Sequence, residues 1–110
     1  MSDEAVELIT QVKRIMNEAA KLSRNKRVLT FVKLGDFYEA FFKDAETVSE
    51  VCQITLTRKQ VEAAQIPMCG VPAHAIFQYI QKLTAENFRV CLAESTGSPV
   101  VHTVRRENLF

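Results

Sequence analysis

The chain has 110 residues, 47% hydrophobic and 25% charged, with a net charge of +1; these are the proportions of one soluble globular domain, not of a disordered or fibrous segment. The near-neutral sum argues against a strong nonspecific nucleic-acid binder, and no apolar run reaches the roughly 18–20 residues that a membrane-spanning helix needs. The start Met1-Ser2-Asp3-Glu4 is acidic where a secretory signal would be basic, and Cys52, Cys69 and Cys91 are odd in number with no Cys-x-x-Cys pair, so buried thiols in a cytoplasmic, reducing setting are expected.

From Asp3 to about Arg24, Ala5, Leu8, Val12, Ile15, Ala19 and Leu22 recur at steps of three and four. That spacing predicts an amphipathic helix, which either packs on its own domain or forms a homodimer. With the basic linker after it, the helix is read as a segment of its own over 1–27. Lys21, Arg24, Lys26, Arg27 and Lys33 follow one another with no acid between, and Arg58-Lys59 and Arg105-Arg106 are further basic pairs. Such clusters are solvated surface or places where phosphates dock.

The β-branched, apolar run Val28–Leu34, closed by Gly35, predicts a buried strand. A helix is predicted from Phe37 to about Val51, with Asp36 as its N-cap. Gln53 to Lys59 alternates as a strand does, and Ile66 to Val71 is a short strand or turn punctuated by Pro67, Gly70 and Pro72. Ile76, Phe77, Ile80 and Leu83 mark a third helix over about 73–87. Phe88 to Ala93 and Val100 to Val104 are expected to be strands. The class expected is α+β, a mixed β-sheet flanked by α-helices, with 28–110 as its main unit.

Catalytic motifs are few. His74 and His102 are far apart, Cys69 and His74 alone do not complete a zinc site, and three glycines cannot build a phosphate-cradling loop. No metal, cofactor or enzymatic activity is expected. The stretch Gly35-Asp36-Phe37-Tyr38-Glu39-Ala40-Phe41 is the informative one. On the predicted helix Tyr38, Phe41, Ala45, Val48 and Cys52 share one face, while Phe37 and Glu39 lie off it. Two alternatives stand. Phe37 and Glu39 project from the helix end toward a nucleic acid, where an exposed aromatic can wedge between base steps. Or Glu39 completes a capping box with Asp36 while Phe37 fills a core margin.

Gly35-Asp-Phe-Tyr-Glu39 with Phe41 and Asp44-Ala45 resembles the start of the MutS mismatch-recognition domain. In order, Ile54-Thr-Leu-Thr-Arg-Lys59, Ile66-Pro-Met-Cys-Gly-Val-Pro72 with Ala73-His74-Ala75, Tyr79-Ile-x-Lys82-Leu83 and Val90-Cys-Leu-Ala-Glu94 resemble its following segments. Each motif is weak, but the ordered set over roughly residues 28–95 is specific. The resemblance implies a noncatalytic DNA-binding domain in which Phe37 stacks beside a mispaired or unpaired base from the minor groove and Glu39 hydrogen-bonds to that base. It implies Arg58 and Lys59 near the DNA backbone, and Pro67 and Met68 in a turn near the minor groove; core packing is the alternative for Met68. Lys33, from the basic cluster, joins the backbone candidates. The partner implied is double-stranded DNA with mismatches or small bulges, bound weakly by one domain alone, and ATP binding belongs only to full-length relatives.

The chain departs from the family in places. The first helix is longer than the family leads one to expect, Ala73 stands where an aromatic is common, and the ending Arg105–Phe110 differs. Room is lacking for the connector, lever, clamp and ATPase domains. Met1 and the immediately helical residues favour a complete small protein over a fragment. A protein-interaction or dimerisation module that keeps the MutS-like fold, binding itself or a MutS-like partner through the first helix, is the alternative function.

Overall fold

The computed structural model of the chain describes residues 3–24, 27–94 and 109–110. The expected strand at Val100–Val104, the pair Arg105-Arg106, and Lys26 and His102 lie outside these residues. Three helices, α1 (Asp3–Ser23), α2 (Phe42–Cys52) and α3 (Ile76–Ala85), flank strands β1 (Val28–Leu34), β2 (Phe37–Phe41), β3 (Thr57–Val61), β4 (Ala64–Pro72) and β5 (Arg89–Glu94). The sheet order is β3-β4-β2-β1-β5. β1 and β5 run parallel, and every other pair is antiparallel. The fold is α+β with a mixed sheet.

Side chains alternate across a strand, so the sheet has two faces, and each carries its own core. On one face Leu29, Phe31, Tyr38, Ala40, Cys69, Val71, Val90 and Leu92 pack beneath α2 and α3. On the other, Val32, Phe41, Val61, Ile66 and Ala93 pack against Ile9, Val12 and Ile15 of α1. Fully burying a side chain of this size contributes about 1.5–3 kcal/mol, so the α1 stripe is stabilised by its own sheet.

The segment Phe37–Phe41 corrects the sequence expectation. It is the strand β2, not the first turns of a helix, and α2 begins only at Phe42. Asp36 is not a helix cap: Phe41 is the N-cap of α2 and makes no side-chain cap bond. Gly35 and Asp36 instead form the two-residue loop of a hairpin in which Leu34 opposes Phe37. Gly35, at φ 62, meets the positive φ that primed turns require at their first position. Flanked by β1 and β4, β2 gains ladder bonds on both sides, and this pairing outweighs local helical spacing.

A second hairpin joins β3 to β4. Its strand starts at Thr57, four residues later than the expected Gln53, and Val61 opposes Ala64 across the loop Glu62-Ala63. Glu62 has φ 53, a left-handed conformation that disfavours any side chain. Replacing Glu62 with Gly is expected to stabilise the protein by about 0.5–1 kcal/mol, read as a higher urea midpoint at unchanged slope. A lowered midpoint would show that contacts of the glutamate outweigh its backbone strain.

Cys52, Cys69 and Cys91 are all free and buried. Burial pushes the Cys69 and Cys91 thiols up to about 12 and raises that of Cys52 as well. None is a thiolate nucleophile at neutral pH.

A candidate nucleic-acid interface

Because β2 is a strand, Phe37 and Glu39 at positions i and i+2 project from the same face. That placement replaces the helix-end geometry and the capping box. Phe37 is 44% exposed and stands on the first residue after the Gly35-Asp36 loop. The loop is held in place: the Ala73 amide donates to the Asp36 carbonyl at 2.8 Å, and Phe37 opposes Pro72 in the ladder. An exposed ring on a pinned hairpin end loses little conformational entropy when it inserts into a ligand.

Glu39 is half-buried and opposes Gly70 across the ladder. Its carboxylate lies over that glycine: a Cβ built on Gly70 would fall 2.8 Å from Glu39 Cδ and 2.9 Å from Oε2, with Oε1 nearer still. Burial raises the Glu39 pKa from its ordinary value, and the positive charge of Lys59 opposes that shift without cancelling it. A carboxyl group in this setting takes up a proton more readily than a solvated one, and so donates or accepts a hydrogen bond according to its surroundings.

The register sorts the remaining sequence candidates. Lys59 opposes Ile66 and Met68 opposes Phe41 and Thr57, which puts Lys59 and Met68 on the face of Phe37 and Glu39. Met68 also packs against the α1-side core. Arg58 and Pro67 oppose one another on the reverse face. Lys33 is on that reverse face too, opposite Tyr38, whose hydroxyl lies 3.5 Å from Glu94 Oε1. Four of the seven candidates are thus brought together, and Lys33, Arg58 and Pro67 are not among them. Arg27, from the basic cluster, donates to Thr47 Oγ1 at 3.0 Å and stacks 5.1 Å from the Phe88 ring centroid.

Gly70 was not singled out for function by the sequence. Its signal was a lone glycine inside a strand pattern, which marks close approach of another group. Among the described residues no group of three or more His, Cys, Asp or Glu side chains could hold a metal ion, and no helix is long and apolar enough to cross a membrane.

The fold and site define a small mixed-sheet domain that presents an aromatic ring and a carboxyl group side by side from one hairpin strand. The family profile for MutS domain I matches residues 7–108, and the chain belongs to that family. Similar proteins include DNA mismatch repair protein MutS of Acholeplasma laidlawii, 52% identical over 80 residues, which are 72% of this chain and 9% of that protein. The namesake of Myxococcus xanthus is 49% identical over 71 residues (64% and 8%). That of Staphylococcus carnosus is 41% identical over 93 residues (83% and 11%). The chain therefore spans about a tenth of the length of these relatives.

Proposed function

We propose that this chain is a noncatalytic module that contacts mismatched or distorted duplex DNA, with Phe37 as the wedge and Glu39 as the polar reader of the base. The observation that carries it is the pairing of an exposed ring and a half-buried carboxyl on one face of β2, in a chain whose relatives are named for DNA mismatch repair. A mispaired step is easier to unstack and bend than a paired one, so selection can come from deformability without a full set of base contacts. Lys59, on the same face, supplies a cation for the phosphate backbone. With a net charge of only +1, affinity is low and falls steeply with salt.

A helix-mediated interaction module has less to work with. Val12, Ile15 and Ala19 of the α1 stripe, with Ile9 beside it, are already buried in the fold. The test is fluorescence anisotropy at low ionic strength with a G·T mismatch, a one-base bulge and a matched duplex of equal length. Tighter binding of the mismatch or bulge is expected. Equal affinity for all three would overturn the proposal.

A further inference from the structure

The two glycines with described surroundings are needed for different reasons. Gly35 supplies a positive φ and has nothing within 4 Å of where a side chain would start. Gly70 has no such backbone requirement, since it is not among the positive-φ residues. What is particular to Gly70 is the space above it, which the Glu39 carboxyl group occupies. Any Cβ at residue 70 would claim the same volume. Because the obstructed atoms are the far end of a flexible side chain, the backbone need not move; the glutamate would.

We propose that Gly70 is a positioning residue for Glu39: the bare backbone of β4 is the seat that lays the carboxyl group flat on the sheet, beside Phe37, and so sets which base edge it can reach. This inference rests on the proposed reading of mismatched DNA, but the seat itself is a property of the free protein. In its seat the group is partly withdrawn from water, and burial raises its pKa against the opposing charge of Lys59. Displaced from the seat, it would be hydrated like an ordinary surface glutamate.

The experiment has two arms on the full chain. In the first, the Glu39 side-chain carboxyl is titrated by carbon-detected NMR in wild type and Gly70→Ala. The midpoint is expected to fall toward the ordinary glutamate value in Gly70→Ala, with amide spectra otherwise preserved. An unchanged midpoint overturns the seat. In the second, the mismatched-to-matched affinity ratio is measured for wild type, Gly70→Ala, Glu39→Ala and the double variant. Gly70→Ala is expected to shift the ratio to that of Glu39→Ala, and the double variant to match either single one. A shifted midpoint with a wild-type ratio would overturn the role of the seat in base reading. Equal wild-type affinity for all duplexes would overturn the functional proposal, and the titration would then decide the seat by itself.

Discussion

Replacing Phe37 with Ala is expected to abolish the preference for mismatched over matched duplex while leaving the protein as stable as wild type. The ring is 44% exposed at the end of a hairpin, so its removal leaves no cavity, and a stability change under about 0.5 kcal/mol is expected. Stacking of a base on an aromatic side chain is worth about 1–3 kcal/mol when measured by alanine substitution, which corresponds to a loss of about 5- to 150-fold in affinity for the mismatch. Matched duplex, whose steps resist unstacking, gains little from the wedge and should change less. Anisotropy on the three duplexes, with thermal unfolding as the control for folding, checks both halves. Phe37→Trp keeps a stacking ring and should retain the preference. If Phe37→Ala discriminates as well as wild type, the ring is not the wedge.

The segment proposed to carry the wedge is the strand β2, where the sequence spacing predicts the start of a helix. Read as a helix, Phe37 and Glu39 reach a nucleic acid only by leaning off the helix end; on the strand, at positions i and i+2, they project from one face. The information was present locally. Gly-Asp between two β-rich runs is a two-residue hairpin loop of the kind in which glycine takes the first position, but the same Asp also suits an N-cap. Choosing between them takes the long-range ladder: β2 is held between β1 and β4, and only the fold brings β4 there. Elements whose periodicity agreed with their pairing were legible: α1, β1, α3 and β5 lie within a few residues of where the spacing puts them. The β3–β4 loop was hidden because Glu62-Ala63 has no turn residue, although Glu62 adopts the left-handed conformation. The opposite orientation of Arg58 and Lys59 follows from strand alternation alone once the register is known. The seat at Gly70 was legible only in part: a lone glycine in a strand pattern marks a close approach, but it takes the register to show that Glu39 is what approaches.

The pH dependence of stability is expected to be dominated by Asp44, at the corner where β2 passes into α2. The β1–β2 register runs from Leu34↔Phe37 to Val32↔Glu39. Two residues further back, the Thr30 amide donates to Asp44 Oδ2 at 3.0 Å instead, so the carboxyl group satisfies a buried backbone donor where that register stops. Asp44 is 8% exposed. Burial pushes its pKa up from 3.8 to about 6, against the Thr30 hydrogen bond and the nearby Arg27 charge, which both lower it. Because the folded-state value lies above the unfolded one, the folded protein holds a proton between about pH 4 and pH 6 that the unfolded chain has released. The stabilisation is complete below about pH 4 and is lost as pH rises through about 6. A difference of this size corresponds to about 3 kcal/mol.

Asp44→Asn keeps a carbonyl oxygen for the Thr30 amide but cannot ionise. Subtracting its urea-denaturation profile from that of wild type removes the contribution of Glu39, whose raised pKa acts in the same sense. The difference should therefore fall between pH 4 and pH 7, with Asp44→Asn at least as stable as wild type at neutral pH. Asp44→Ala, which leaves the Thr30 amide without its acceptor, should be about 1–3 kcal/mol less stable than Asp44→Asn at every pH. A wild-type minus Asp44→Asn difference that stays flat from pH 4 to pH 7 would show that the carboxyl group titrates normally despite its burial.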